Sequence, residues 1–211
     1  MVGFSSVTDN NPAPFDEGTD TLTSVEQLIF NDGVTTTFLD LALGVQHFNS
    51  SGDLVGTYSE IQAAIDASSA GDTIRVFDGT YTENLTIPNS AEITLELEGT
   101  VDGDFDGNDD SSTLIAIGDL SIGDSSSTAG FAHDGTLMTG GFKVTIGDQN
   151  TASLGVLTQV GAGGEIEADN GVNLSSGDTL TGEGTVDGEV NLFTGTVSGN
   201  LTIEGPLDGS Q

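Results

Sequence analysis

Short apolar runs recur along this chain from Thr73 almost to its end, and Gly, Asp, Asn or Ser separates each run from the next. The runs contain two or three Val, Ile or Leu residues, often at alternate positions, which is too short for a hydrophobic helix. They fit strands stacked as rungs of about twenty residues, where each rung hydrogen-bonds to its neighbours. The pattern predicts an all-β repeat fold, with a sandwich of short strands as the competing architecture.

A short helix is predicted just before the first of these strands. Ser59 is a natural helix N-cap, and Ile61, Ala64 and Ile65 fall on one face at helical spacing. The Gly71-Asp72 pair then ends the helix. This spacing predicts an amphipathic helix over residues 59–68 that buries its apolar face.

Two strands joined by a tight turn follow the helix. Ile74 and Val76 alternate with polar residues, and Asp78-Gly79 turns the chain into a second strand that ends at Ile87. The whole pattern resembles the opening of right-handed parallel β-helix proteins of the pectate-lyase-like superfamily. In those proteins the helix plugs the open end of the coil, and the strand after the Gly-Asp turn starts the first rung.

This resemblance implies a right-handed parallel β-helix with a short N-terminal capping helix. It divides the chain into a linker and short-strand segment at 1–50 and a β-helix at 51–211, with coils from residue 73 onward. We expect the coils to continue in a longer protein, because the rung at Leu201–Ile203 would otherwise leave an open sheet edge. Further coils or another subunit would cover that edge.

Two further resemblances point to large bacterial secreted or surface proteins. The glycine- and valine-rich tail Thr179–Leu207 is similar to the repeats of autotransporter and filamentous adhesin β-helices. The run from Thr19 to Leu41 resembles the segment beside calcium-binding repeats in RTX-type proteins, and its matching residues are Leu22, Val25, Glu26, Leu28, Phe30, Asp32 and Gly33. The chain lacks the nonapeptide of that family, so its calcium sites do not carry over. The alternative for this run is two short strands that pack through Leu28, Phe30 and Phe38.

The net charge of −32 restricts the partners of this chain. Arg75 and Lys143 are its two basic side chains besides the histidines, so its surface repels nucleic acid and anionic membranes. No stretch is apolar enough to predict membrane insertion, and the first residues do not resemble a secretory leader. We therefore expect part of a secreted or cell-surface protein whose partners are surface or matrix polysaccharide, or copies of itself.

One acidic segment predicts a metal site. Its carboxylates alternate before a glycine, as in the first half of an EF-hand loop, and the predicted calcium ligands are Asp102, Asp104, Asp106 and Asp110. The position of the bidentate glutamate is occupied by Thr113, and no flanking helices are evident, so a looser calcium loop between rungs is expected. The alternative is a solvated acidic turn.

The remaining candidates for chemistry are isolated. Arg75 is predicted to pair with Asp72 or Asp78, and Lys143 is a lone cation. His47 and His133 are predicted to be solvated or structurally bonded, because one imidazole does not make a catalytic constellation. The sequence therefore favours a structural or adhesive stalk, with or without bound calcium, and assigns no catalytic residue. The alternative is the N-terminal part of a polysaccharide-acting lyase, epimerase or glycosidase.

Overall fold

The computed structural model describes residues 44–123, 130–147 and 151–209, together with the backbone of four short strands before residue 44. These strands form two antiparallel pairs and are β1 (Val7–Thr8), β2 (Thr19–Asp20), β3 (Gln27–Asn31) and β4 (Thr36–Asp40). The β3–β4 pair agrees with the alternative of two short strands in this region. The side chains of Leu28, Phe30 and Phe38 and the positions Leu22, Val25, Glu26, Asp32 and Gly33 lie outside what the structure describes.

A hairpin and a short helix precede the coils. The hairpin contains β5 (Val45–Phe48) and β6 (Leu54–Tyr58), and the helix is α1 (Ile61–Ala67). Ile61, Ala64 and Ile65 are the buried side chains of α1, as the helical spacing predicts. Strand β5 precedes the proposed boundary at residues 50 and 51, yet it pairs antiparallel with the first strand of the coils.

In the part of the chain that the structure describes, nineteen strands then wind through seven stacked layers, each of which visits up to three faces. In chain order they are β7 (Thr73–Val76), β8 (Thr80–Tyr81), β9 (Leu85–Ile87), β10 (Thr94–Val101), β11 (Phe105–Gly107), β12 (Thr113–Ile122), β13 (Phe131–His133), β14 (Thr136–Gly140), β15 (Lys143–Ile146), β16 (Ala152–Leu154), β17 (Leu157–Val160), β18 (Glu165–Ala168), β19 (Val172–Leu174), β20 (Thr179–Gly182), β21 (Thr185–Asp187), β22 (Val190–Leu192), β23 (Thr196–Gly199), β24 (Thr202–Ile203) and β25 (Leu207–Asp208).

The strand pairs between successive layers of the described residues are all parallel, so the chain is a parallel β-solenoid and the predicted β-helix fold is confirmed. We call the seven layers coils 1 to 7, beginning at β7, β10, β12, β14, β17, β20 and β23. Face 1 contains those first strands. Face 2 contains β8, β15, β18, β21, β24 and the second halves of β10 and β12, and face 3 contains β9, β11, β13, β16, β19, β22 and β25.

The core is a set of apolar rows that run along the stack. On face 1, Ile74 pairs in register with Leu95, Leu95 with Leu114, and Leu114 with Leu137, and all four are buried. Their neighbours on each strand are less buried, because successive side chains of a strand point to opposite sides. The alternating pattern in the sequence therefore corresponds to the inside and outside of one continuous stack. A sandwich is excluded by the parallel pairing.

The N-terminal end of the stack is covered on two faces. On face 1, β5 occupies the edge of β7. On face 3, the side-chain amide of Gln62 acts like a strand: its Oε1 accepts the Thr86 N–H at 2.7 Å, and its Nε2 donates to the Thr86 carbonyl at 3.2 Å. Covering the unpaired N–H and C=O groups of an edge strand prevents pairing with other chains. This end is therefore protected, as the plugging helix of the resemblance implies.

The helix cap comes from a residue distant in sequence, which corrects the prediction for Ser59. Glu60 occupies the N-cap position and makes no side-chain capping bond. Instead, the two carboxylate oxygens of Glu83 accept the N–H groups of Ile61 and Gln62, each at 2.8 Å. A carboxylate at a helix N-terminus also interacts favourably with the helix dipole. Glu83 lies in the turn between β8 and β9, so this cap forms only when coil 1 is folded.

Replacing Glu83 with Ala is expected to lower the free energy of unfolding by about 1–2 kcal/mol, because two helix N–H groups lose their acceptor. Chemical denaturation measures this change, and faster hydrogen exchange at Ile61 and Gln62 would locate it. The matched control is Ser59→Ala, which is expected to change stability by no more than about 0.5 kcal/mol. A larger effect from Ser59 than from Glu83 would contradict the assignment of the cap.

At the other end of the described coils, the apolar side chains are less protected. Val197, Leu201 and Ile203 are half-buried, and Leu207 is 54% exposed. The same rows are fully buried one coil earlier, at Leu180 and Val186, which pair with Val197 and Ile203. Stacking therefore buries an inward side chain completely only when there is a coil on both sides of it.

Candidate functional site

The four predicted calcium ligands are distributed along one extended stretch of coil 2. Asp102 and Asp104 lie in the turn between faces 2 and 3, Asp106 lies on strand β11, and Asp110 lies in the next turn. The Oδ1 atom of Asp104 accepts the Gly130 N–H at 3.2 Å, so this carboxylate already links coil 2 to coil 3. Within the described residues, no three of the four offer ligand atoms within 4.8 Å of one another. The calcium site stays a prediction.

Asp109, in the same acidic segment, has a structural role that the sequence pattern did not reveal. It is buried, and its Oδ2 accepts the Glu92 N–H at 2.6 Å and the Ser112 hydroxyl at 2.7 Å, while Oδ1 accepts the Ser111 N–H. Burial acts to raise the pKa of Asp109, but these hydrogen bonds outweigh it and hold the pKa below 3.8. Asp109 therefore stabilises the turn at neutral pH, and that stabilisation is lost as the pH falls below 3.8.

A negatively charged corner forms where face 3 turns into face 1. The pKa of Asp134 is raised above 3.8 by partial burial and by the negative charges of Asp110, Asp106 and Asp178. These four aspartates come from three coils, because Asp106 and Asp110 both belong to coil 2, and the stacking brings the charges of the other three close enough to act on Asp134. Two of them belong to the predicted calcium ligands. The sequence gives no sign of this association, because it depends on which turns lie above one another.

The described residues contain one group of three carboxylates whose ligand atoms lie within 4.8 Å of one another, and it was not predicted. It consists of Glu165, Glu167 and Asp187 on face 2. Lys143 neutralises part of it, with Nζ at 3.0 Å from Glu165 Oε1 and 3.1 Å from Glu167 Oε2. Hydrogen bonds from Lys143 and Thr145 lower the pKa of Glu167, and those to Glu165 and Glu167 raise the pKa of Lys143.

Register alone brings this group together. Lys143 pairs with Glu165, Thr145 with Glu167, and Glu167 with Asp187, so outward positions of coils 4, 5 and 6 form a ladder. The signal in the sequence is a spacing of about one coil between charged residues, which can be recognised once the apolar rows are aligned. Chemically the group is a surface ion-pair network, and such pairs contribute little to stability when exposed.

Arg75 pairs across coils, and neither predicted partner was correct. Its Nε lies 2.5 Å from Glu96 Oε2, and Glu96 stands in register with Arg75 on the adjoining strand β10. The guanidinium also lies over the ring of Phe48 in β5, with 5.5 Å between Cζ and the ring centroid. Asp72 and Asp78 are three residues before and after Arg75 in the sequence, but the partner one coil away is brought beside it because adjacent strands are about 4.8 Å apart. Arg75 therefore connects the hairpin, coil 1 and coil 2.

Both histidines are structurally bonded, in agreement with one of the two predicted alternatives. His47 Nε2 lies 2.8 Å from Asp72 Oδ2, and both side chains are buried where the hairpin meets coil 1. Burial acts to raise the pKa of Asp72, but hydrogen bonds from His47 and from the Ser69 N–H hold it below 3.8. His133 is buried inside the stack, and its Nε2 lies 3.0 Å from the Thr136 carbonyl oxygen.

The coils and their pairing define the class of this protein, a parallel β-solenoid of the β-helix type. Comparison of the chain with family models, curated proteins and solved structures finds no match. Within the described residues, the helix does not have the length and apolar character needed to cross a membrane. The pectate-lyase-like, adhesin and RTX resemblances therefore remain hypotheses about a chain whose architecture is established.

Proposed function

We propose that these coils form a structural stalk of a secreted or cell-surface protein, and that they act as a rigid spacer. The main support is that the basic side chains and the imidazole that catalysis would use are already paired or buried in the described residues. Arg75 pairs with Glu96 on face 1, Lys143 pairs with two glutamates on face 2, and His133 is buried behind face 3. Catalysis needs such groups to converge on one substrate position, and these three lie on three different faces.

The capping of one end also supports a spacer. Strand β5 and helix α1 cover the N-terminal end, so the stack has a defined beginning. From there, each coil adds about 4.8 Å along the axis through parallel hydrogen bonds and continuous apolar rows. Such a stack keeps groups attached to different coils at fixed separations. Its partners in this proposal are surface or matrix polysaccharide, or other copies of the chain.

The high negative charge fits this role better than capture of an anionic substrate. The chain carries 34 acidic residues and two Lys or Arg residues, and both of these are already paired with glutamates. An acidic polysaccharide would be repelled by such a surface. The competing proposal, the N-terminal part of a polysaccharide-acting enzyme, needs outward carboxylates and an unpaired base on one face of adjacent coils, whereas Lys143 on face 2 is paired with Glu165 and Glu167. Calcium bound by the acidic segment remains a proposal that the spacer role does not require.

Distances between spin labels test the spacer directly. The chain has no cysteine, so label pairs can be introduced at outward threonines of face 1. Thr94, Thr179 and Thr196 occupy equivalent register positions, as does Thr73 in coil 1. The pairs Thr94/Thr179, Thr94/Thr196 and Thr73/Thr196 are expected to give narrow distributions whose means increase from about 19 to about 24 and about 29 Å, before correction for the label linkers.

Two results would contradict the spacer role. Broad distributions, or means that do not increase by about 5 Å per coil, would show that the stack is not rigid. Release of reducing ends or unsaturated products from soluble polysaccharides by the unlabelled protein would instead favour the enzyme. Far-ultraviolet circular dichroism of each labelled variant serves as the control that the double substitution leaves the fold intact.

A further inference from the structure

His133 lies in the interior of the stack, where apolar side chains are the rule. It is 1% exposed, and along face 3 its row contains Ile87 in coil 1, Gly107 in coil 2 and Leu154 in coil 4. Phe105 meets the imidazole edge-on, with ring centroids 5.6 Å apart. An ionisable ring therefore occupies an inward position that coil 1 fills with Ile87 and coil 4 fills with Leu154.

A glycine in the preceding coil makes room for this ring. A Cβ atom on Gly107 would lie 2.5 Å from His133 Nδ1, which is closer than such atoms can approach. The Nδ1 atom thus faces the bare backbone of coil 2. It is buried and has no hydrogen-bond partner, whereas Nε2 lies 3.0 Å from the Thr136 carbonyl. Because a carbonyl oxygen only accepts, Nε2 carries the proton of the neutral ring, and Nδ1 is left as an unpaired acceptor.

The charges around the ring cannot compensate a second proton. Of the described charged groups, Asp109 faces the imidazole, and its oxygens are already committed to Glu92, Ser111 and Ser112. Asp106 and Asp134, near the ring in sequence or register, are exposed on the outer side of face 3. Burial lowers the pKa of His133 below 6.5, and the opposing contributions of the Thr136 carbonyl and Asp109 are smaller.

We propose that His133 is an acid-sensitive joint of the stalk, where protonation at Nδ1 opens face 3 between coils 2, 3 and 4 before the rest of the stack unfolds. An imidazolium needs an acceptor or water at Nδ1, and the closed stack offers neither. Opening of β13 away from β11 and β16 admits water to that atom. The stalk would then stay closed at neutral pH. In an acidic environment it would open locally at this joint.

The direction of the pH dependence follows from proton linkage. The closed stack binds the proton more weakly than the open form, in which the imidazole has an ordinary pKa near 6.5. The closed form is therefore fully favoured above about pH 6.5 and loses stability as the pH falls below that value. Because one proton is involved, the equilibrium constant for opening increases by up to about tenfold per pH unit.

Hydrogen exchange of the intact chain measures this opening. Protection factors, corrected for the intrinsic pH dependence of exchange, are compared between pH 7.5 and pH 5 at the amides of Ala132, His133 and Asp134. The Asp134 N–H donates to the Gly107 carbonyl at 2.8 Å and so reports on the junction of coils 2 and 3. We expect these factors to fall by up to about tenfold per pH unit below pH 6.5, while those of Val144 and Ile166 on face 2 stay constant.

Substitution of the histidine separates this joint from general acid sensitivity. His133→Leu, which continues the row with the residue found at position 154, is expected to abolish the pH dependence of exchange at positions 132–134. His47→Gln removes the other imidazole and is expected to preserve that dependence. Flat protection factors in the natural chain, or a dependence that persists in His133→Leu, would overturn the proposal.

A measurement on the natural chain does not depend on the variants folding. The chain has two histidines, and the ring signals of His133 can be assigned from their proximity to the Phe105 ring and followed by NMR titration. We expect the His133 ring to titrate below pH 6.5 and its protonation to coincide with faster exchange at Asp134. Titration of that ring at or above pH 6.5 with unchanged exchange would also overturn the proposal.

Discussion

Phe105→Ala is expected to lower the free energy of unfolding by about 3–5 kcal/mol, the range for truncating a fully buried aromatic side chain. Phe105 is completely buried, and its ring stacks on Phe131 of the next coil with centroids 5.2 Å apart. It also contacts the edge of His133. Removing the ring leaves a cavity that the two flanking coils cannot fill, because their backbones are fixed by hydrogen bonds to further coils. Urea denaturation followed by circular dichroism measures the change.

Phe142→Ala is the matched control for this prediction. Phe142 lies in the turn between β14 and β15 and is 39% exposed, so its truncation removes much less buried surface. We expect a cost of no more than about 1 kcal/mol, as for a partly exposed side chain outside the core. Equal costs for the two variants would mean that Phe105 does not lie in the continuous core of the stack.

Gly155→Ala is expected to lower the free energy of unfolding by roughly 3 kcal/mol, the upper end of the range for inserting extra atoms into a well-packed site. Gly155 lies in the turn from face 3 to face 1, where a Cβ atom would meet the Asp134 carbonyl group at 2.2 Å and the His133 carbonyl oxygen at 2.4 Å. These neighbours are backbone atoms of the preceding coil, so they can move only if the two coils separate. The glycine is needed here for the close approach of two chains.

The contrasting variant is Gly147→Ala, which is expected to raise the free energy of unfolding instead of lowering it. Its Cβ would be 3.9 Å from the Ile122 carbonyl oxygen, an ordinary contact, and its backbone conformation suits any residue. Replacing such a glycine stabilises a protein by about 0.4–1 kcal/mol, because the unfolded chain loses conformational freedom. Thermal denaturation of both variants tests the pair. A Gly155 variant as stable as the Gly147 variant would contradict the stacking distance at this turn.

The strands of this fold could be predicted because apolar and polar residues alternate locally in the sequence. Ile74 and Val76 in β7, and Val144 and Ile146 in β15, are buried as the period of two requires. The buried face of α1 was predictable for the same reason, from Ile61, Ala64 and Ile65. These features depend on neighbours within a few residues, and the chemistry of a few residues suffices to specify them.

The pairing of side chains could not be predicted, because the coils differ in length. Thr113 pairs with Thr136, whereas Thr179 pairs with Thr196, so no constant repeat indicates which outward residues lie side by side. For this reason the predicted partners of Arg75 were wrong, and the ladder of Lys143 with Glu165 and Glu167 was not predicted. In the acidic segment an extended strand runs through Asp106, and the calcium site there stays a prediction.

The sequence by itself determined that this chain forms short strands with one apolar side and begins its coils behind a small helix. Only the tertiary structure decided that Glu83 caps that helix, that Asp109 stabilises a turn and that His133 is buried against the ring of Phe105. Alternation needs only the geometry of a single strand. Caps, ladders and buried ionisable groups depend on contacts between residues about one coil apart, and the stacking of coils of unequal length sets those contacts.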